Sequence, residues 1–182
     1  MRAVRNYILA NRKRFIKAIL LLLFCICTGT AHAQTQAANN VKAVFLYNFS
    51  RFVTWPNTSP ANGPFVIGIL GSNPFGNYLE QVVEGETIDG QKIEIQYYNE
   101  VSEIRNCHIL YINKSNAADI AKNLAARNIL TVGDGVDFAR SGGIVRFFVE
   151  NNKIRLRINQ RHAKAANLQI SSKLLRVADV IE

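Results

Sequence analysis

The sequence ILTVGDGVDFARSGGIVRFFVENNKIRLRIN (residues 129–159) contains the clearest structural pattern of the chain. It opens with a short apolar strand, and residues 144–159 predict a β-hairpin around Asn151-Asn152, since a two-residue loop is the commonest hairpin connection. Antiparallel pairing about this turn sets Val145 opposite Ile158, and alternate residues then share a face. One face is apolar throughout and consists of Val145, Phe147, Val149, Ile154, Leu156 and Ile158. The agreement of both strands supports the register and predicts that this face points into the core.

The opposite face of the hairpin is cationic and carries one aromatic side chain. It consists of Arg146, Phe148, Glu150, Lys153, Arg155 and Arg157. Three interpretations stay open: charges that keep an outer strand from aggregating, a protein–protein surface, or a site for a small anionic ligand. We predict that the residues in contact with a partner protein are Arg146, Phe148, Arg155 and Arg157.

Two pairs on this face have consequences of their own. Arg146 lies opposite Arg157, and a like-charge pair lowers stability unless an acidic group is near. Phe148 lies beside Arg155, so we expect Phe148 to form a cation–π contact with it or to insert into a pocket of a partner.

Strands and helices alternate before the hairpin. PFVIGILG (64–71) and CHILYIN (107–113) are short apolar runs of the kind seen in central parallel strands. Ser72-Asn73-Pro74 predicts the start of a helix to about Val83, and residues 115–127 predict another helix. This alternation implies right-handed crossovers. The predicted fold class is therefore α/β: a three-layer arrangement with a mostly parallel sheet flanked by helices, and a C-terminal antiparallel β-hairpin.

Two further segments predict helices. Asn39-Asn40 can cap a helix from Val41 that ends at Trp55-Pro56, because the residue before proline avoids the helical region. Apolar side chains cover most of this helix, which predicts burial on two sides, against a sheet or against a partner. The tail predicts one or two helices between Gln160 and Val180.

Residues 1–33 resemble an export signal. A basic segment is followed by the apolar run 18–27 and by Ala31-His32-Ala33. As a helix the run is about 15 Å long, half of a hydrocarbon core of about 30 Å. We therefore predict a signal peptide over 1–33 that is cleaved after Ala33. A single domain over 34–182 would then be periplasmic and not inserted into the membrane.

Removal of the signal changes the electrostatic argument. The whole chain has 22 basic and 13 acidic residues, and six of the basic ones lie in 1–33, which leaves a net charge of +3. The sequence therefore predicts no nucleic-acid partner. Only Cys107 of the three cysteines remains, so the exported chain can form no intramolecular disulfide.

No constellation of catalytic or metal-binding residues emerges from the sequence. Cys107 and His108 are neighbours on a strand and point to opposite faces, so they cannot form a thiol–base pair. His162 stands apart from both. The sequence therefore predicts a protein that is not an enzyme, with no catalytic residues, no cofactor and no metal site. An enzyme that uses Cys107 remains an alternative.

The loop from Gly71 to Gly76 is a second candidate for binding. It follows a strand and precedes a predicted helix, where backbone amides can hold an anion. Asn77, however, stands where a phosphate-binding loop has its lysine. We predict a weaker ligand site at Gly71, Ser72, Asn73 and Gly76. It would support an alternative function, a periplasmic module that binds a small anion or metabolite and reports to a membrane receptor, kinase or transporter.

Five segments carry a family resemblance: KAVFLYNFSRFVTWP (42–56), VIGILGSNPFG (66–76), CHILYI (107–112), the stretch 129–159 and AANLQISSKLLRVADVI (165–181). Together they resemble the YfiR family of periplasmic proteins over nearly all of 34–182. The resemblance implies a regulator that makes no chemical change. It would bind and inhibit the periplasmic domain of an inner-membrane signalling protein, in this family a diguanylate cyclase, and so lower cyclic di-GMP and biofilm formation. We also predict a homodimer.

The cysteines depart from the family pattern. The resemblance implies a redox-sensitive form where family cysteines pair, and Cys107 matches one such position. The strand 66–70, however, contains Gly68 and no cysteine. Disulfide-controlled activation is therefore not implied for this chain.

Overall fold

A computed structural model describes residues 34–55 and 63–182. The predicted signal peptide, 1–33, lies outside the described residues. The chain divides into two compact units, Met1–Ala37 and Ala38–Glu182, and only residues 34–37 of the first are described. The sheet and the sites below belong to the second unit.

An eight-stranded sheet forms the centre of this unit. The strands of the described residues are β1 (Val53–Thr54), β2 (Phe65–Gly71), β3 (Thr87–Ile88), β4 (Gln91–Tyr98), β5 (Ile109–Asn113), β6 (Leu130–Gly133), β7 (Val145–Glu150), β8 (Lys153–Asn159), β9 (Gln169–Ile170) and β10 (Asp179–Ile181). The order across the large sheet is β10-β8-β7-β6-β5-β2-β4-β3, while β1 and β9 form a separate pair. Five neighbouring strands of this sheet are parallel, namely β4, β2, β5, β6 and β7, and β8 is antiparallel to β7.

Helices cover both faces of the sheet. They are α1 (described over residues 34–52), α2 (Tyr78–Val83), α3 (Ala117–Asn123), α4 (Phe138–Ser141), α5 (Gln160–Ala165) and α6 (Ser172–Leu175). Phe49 of α1 and Leu79 of α2 belong to one apolar core, and Ile120 of α3 and Phe138 of α4 belong to a second. β2 is buried along almost its whole length, because it has neighbours on both sides and helices on both faces. The predicted α/β fold class is confirmed.

The order of the parallel strands reverses between β2 and β5. The chain passes from β2 to β4 on one side and then returns to β5 on the other. The carboxyl ends of β2 and β5 therefore border the crevice where open α/β sheets commonly bind ligands. No helix among the described residues is both long enough and apolar enough to cross a bilayer.

The first helix differs from its prediction at both ends. α1 runs through Asn39-Asn40, so the predicted cap is wrong, and the Asn39 side chain instead donates to the carbonyl of Pro74 at 3.0 Å. The helix ends at residue 52, before Trp55, because Val53 and Thr54 pair with β9. A tertiary strand pairing therefore stops the helix earlier than the local sequence suggests.

The second helix and the tail also differ. α2 begins at Tyr78 and not at Pro74. The Asn73 side chain accepts the Phe75 amide at 2.9 Å, as a cap would, but Gly76 has a left-handed φ of 58°, which interrupts the helix. The tail contains α5 and α6 as predicted, but it ends in the strand β10, parallel to β8. The prediction of helices alone between Gln160 and Val180 is therefore incomplete.

Candidate functional site

The hairpin of β7 and β8 has the predicted register in all six pairs, from Val145 opposite Ile158 to Glu150 opposite Lys153. Asn151 and Asn152 have φ of 49° and 59°, the left-handed conformation that a tight two-residue hairpin turn requires. The apolar face is buried close to the sheet centre, but Val149 is 65% exposed. The prediction of a fully buried apolar face is wrong there, because the turn end of the hairpin extends past the core.

Arg146, Phe148, Arg155 and Arg157 lie together on the other face, and we call them the hairpin patch. Phe148 lies between two guanidinium groups: Arg146 Cζ is 5.4 Å and Arg157 Cζ 5.3 Å from the centre of its ring. Both distances suit cation–π contact. The predicted contact of Phe148 with Arg155 is wrong, since Arg155 Nε lies 3.5 Å from Glu150 Oε2 and pairs with that carboxylate instead.

An acidic residue from the tail completes one end of the patch. Arg157 Nε donates to Asp179 Oδ2 at 2.6 Å, and Asp179 lies opposite Arg157 in the pairing of β10 with β8. This carboxylate offsets the repulsion between Arg146 and Arg157. Sequence reasoning missed it because the tail was predicted to be helical; the β-branched pair Val180-Ile181 was the available signal for a strand.

Arg146 is the least satisfied member of the hairpin patch. Its Nε is buried and has no hydrogen-bond partner among the described residues. Burial, and then the charge of Arg157, lower the pKa of the Arg146 guanidinium, while Asp137 and Asp134 oppose this shift. A buried donor without an acceptor costs free energy, so Arg146 Nε is an unfavourable point in the folded chain.

The helix α4 covers one end of the cationic face, and the hairpin patch lies closer to the turn than this end. Asn159, on the same face as Arg155 and Arg157, donates to the carbonyl of Ala139 in α4 at 2.9 Å. α4 therefore covers the end of the hairpin that is farther from the turn. The side chains of Arg155 and Arg157 keep 50% and 21% of their exposure. The patch can thus be reached by another molecule.

The loop after β2 is held by its own side chains. An added Cβ at Gly71, which has φ +95°, would lie 2.4 Å from the carbonyl oxygen of Asn113, and Asn113 Nδ2 donates to the Ser72 carbonyl at 2.8 Å. Asn73 Nδ2 donates to the Gly76 carbonyl at 2.8 Å. The loop does border the crevice between β2 and β5. The ligand site at Gly71, Ser72, Asn73 and Gly76 stays a prediction.

Cys107 and His108 point to opposite faces, as predicted. Burial raises the pKa of the Cys107 thiol to about 12, so it stays protonated at neutral pH. His108 Nδ1 accepts the Val66 amide at 3.0 Å, and its ring stacks on Phe65 at 4.4 Å. His162 Nδ1 lies 2.8 Å from the carbonyl oxygen of Gly143. In residues 34–55 and 63–182 no group of three or more His, Cys, Asp or Glu side chains is arranged to hold a metal ion.

Comparison with known proteins places the chain at the level of a family. The sequence model of the YfiR/HmsC-like family matches residues 39–179. No curated protein matches significantly. Among solved structures, the crystal structure of an ABC domain in complex with L-Trp from Streptococcus pneumonia matches with a TM-score of 0.51 and 12% identity. That match covers 76% of this chain and 60% of the other, and at this identity it shows the fold alone.

The family match extends over most of the chain and includes the hairpin patch. The resemblance found in the sequence is thereby confirmed. This chain belongs to the YfiR/HmsC-like family, whose members are periplasmic, non-catalytic regulators associated with a membrane diguanylate cyclase.

Proposed function

We propose that this protein binds the periplasmic domain of an inner-membrane diguanylate cyclase through the hairpin patch and holds the cyclase inactive, which lowers cyclic di-GMP. The family supports a regulator connected with such a cyclase. One observation carries the choice of surface: Phe148 lies between two guanidinium groups.

Aromatic and arginine side chains are the usual anchors of protein interfaces. Phe148 offers an apolar ring whose position is fixed by Arg146 and Arg157, so little side-chain freedom would be lost on binding. Arg146 and Arg157 place positive charge on both sides of the ring. An acidic segment of the cyclase with a pocket for the ring fits this combination, and its binding would weaken with salt because Arg155 is exposed.

Inhibition by such a protein is a population shift. It requires tighter binding to the inactive cyclase than to the active one. A change from 1:99 to 99:1 in favour of the inactive state needs a preference of about 10⁴-fold. A signal that competes for the hairpin patch would release the cyclase without any change in the fold of the regulator.

The test uses two substitutions in the patch and one control. Phe148→Ala removes the ring, and Arg155→Glu reverses an exposed charge. Arg161→Glu, at an exposed position of α5, makes the same charge change elsewhere. We expect both patch variants to bind the purified periplasmic domain of the cyclase about tenfold or more weakly and to raise cyclic di-GMP in cells, with Arg161→Glu unchanged.

Two results have different meanings. If the patch variants fold normally and still capture and silence the cyclase, the surface is wrong although the function stands. If the wild-type chain neither captures the cyclase nor changes cyclic di-GMP, the function itself is wrong.

The proposal includes a homodimer through α1. Ala43, Leu46 and Phe49 of this helix are buried, whereas Val41 and Val44 are 45% and 38% exposed. Two apolar side chains on the outer side of α1 favour a contact with a second copy. Val44→Glu should lower the mass measured by sedimentation; a wild-type chain that sediments as a monomer would contradict this part.

The proposal also includes export with cleavage after Ala33. Residues 1–33 lie outside the described residues, and support comes from their order of basic, apolar and small residues. Amino-terminal sequencing of the protein from the periplasmic fraction should begin at Gln34, and a sequence that begins at Met1 would contradict it.

A further inference from the structure

A second concave surface lies on strands β2, β4 and β5, away from the hairpin patch. It is a cleft of about 490 Å³, within the range of about 300–1,000 Å³ that small-molecule sites occupy. Its lining residues lie at or just before the amino ends of β2, β5 and β6, and Gln91 and Gln96 of β4 complete it. No step of the proposed cyclase interaction uses it.

The charges around this cleft have one sign. Arg105 and Arg127 both line it, and none of its described lining residues is an aspartate or a glutamate. Arg127 Nη2 donates to the carbonyl of Ile104 at 2.7 Å, which fixes the position of its guanidinium group. Neither arginine forms an ion pair within the part of the chain that the structure describes. The cleft therefore attracts anions.

Two neutral polar side chains of the cleft, Gln96 and His108, have their acceptor atoms occupied within the protein. Gln96 Oε1 accepts the Tyr98 hydroxyl at 2.7 Å, which leaves the Gln96 amide N–H groups for a ligand. His108 Nδ1 accepts the Val66 amide at 3.0 Å, so the neutral ring carries its proton on Nε2. These two side chains can therefore offer a ligand only N–H donors.

We propose that this cleft binds a small organic anion through a carboxylate or phosphate group. Its oxygens accept hydrogen bonds from Arg105, Arg127 and Gln96. The two chemistries share the oxyanion that the donors recognise, and the experiment separates them.

The experiment titrates the purified chain with citrate and, separately, with inorganic phosphate, measured by calorimetry and by thermal shift. Gln96→Glu keeps an acceptor for the Tyr98 hydroxyl but replaces the N–H donors by a negative oxygen. Arg105→Gln removes an exposed charge that has no ion pair among the described residues. The matched controls are Gln81→Glu at an exposed position of α2 and Arg161→Gln at an exposed position of α5. We expect saturable binding of one anion per chain, weakened about tenfold or more by each cleft variant and unchanged by each control.

Binding of citrate alone identifies a carboxylate ligand, and binding of phosphate alone identifies a phosphate ligand; either assigns the site. Three results overturn the proposal: no saturable binding of either anion at millimolar concentration, binding that the two cleft variants leave intact, or equal weakening by cleft variants and controls. Arg105→Gln keeps the test decisive if Gln96→Glu does not fold.

Discussion

The ion pair between Arg157 and Asp179 holds the tail strand β10 against the hairpin patch. We expect Asp179→Asn to destabilise the fold, because it leaves Arg157 beside Arg146 without a carboxylate. Arg157 Nε and Asp179 Oδ2 are 2.6 Å apart, and the two side chains keep 21% and 44% of their exposure. The pair is thus neither fully buried nor fully exposed.

The magnitude follows from these values. Two unit charges about 4 Å apart attract by about 1 kcal/mol in water and by about 4 kcal/mol at an effective dielectric constant of about 20. Desolvation and lost side-chain freedom offset much of this attraction. We therefore expect a coupling free energy of about 1 kcal/mol between the two side chains. The pair of Arg155 with Glu150 is longer, at 3.5 Å, and about half exposed on both sides. Its coupling should be only about 0.2–0.5 kcal/mol.

The assay is a double-mutant cycle by urea unfolding. The free energy of unfolding is measured for the wild type, Asp179→Asn, Arg157→Gln and the double variant, so that the loss of the Arg146 repulsion cancels. Arg155→Gln and Glu150→Gln form the control cycle. A coupling for Arg157 and Asp179 below about 0.3 kcal/mol, or no larger than that of the control pair, would refute the reasoning.

Three further predictions concern the core and the buried thiol. Phe147→Ala should cost about 3–5 kcal/mol of unfolding free energy, whereas Val149→Ala on the same face should cost less than about 0.5 kcal/mol; similar losses would contradict the described burial. Above about pH 9 the unfolded chain loses the Cys107 proton while the folded chain keeps it, so the free energy of unfolding should fall by up to about 1.4 kcal/mol per pH unit. Urea unfolding at about pH 8 and 10 measures this slope, and Cys107→Ala should remove the part that is due to the thiol. Gly68→Cys should form a disulfide with Cys107 on oxidation, because a Cβ at Gly68 lies 2.9 Å from Cys107 Sγ. The disulfide would be measured as a loss of free thiols. Thiols that persist would show that the Tyr98 ring, 2.7 Å from the same Cβ, prevents the bond.

Local patterns were sufficient for the hairpin and for the class of fold. Alternating side chains and the Asn151-Asn152 turn determined all six pairs, because a shift of one residue would move the whole apolar set to the other face. The apolar run at β2 predicted a central parallel strand for a similar reason, since burial on both faces removes polar residues from both. The opposite directions of the Cys107 and His108 side chains followed from the two-residue repeat of an extended strand.

Local sequence patterns could not predict the contacts between segments that are far apart in the chain. α1 ends at residue 52 because β9, far along the chain, pairs with Val53 and Thr54. The late start of α2 reflects the left-handed conformation of Gly76, which the local cap residues do not reveal.

By itself, the sequence determined which residues of this protein share the cationic face of the hairpin, because a strand repeats every two residues whatever surrounds it. Only the tertiary structure decided how those residues pair. Phe148 lies with Arg146 and Arg157 and not with Arg155, and Asp179 reaches Arg157 from the tail. The physical reason is that long side chains choose among several rotamers, and the neighbours that decide the choice come from remote parts of the chain.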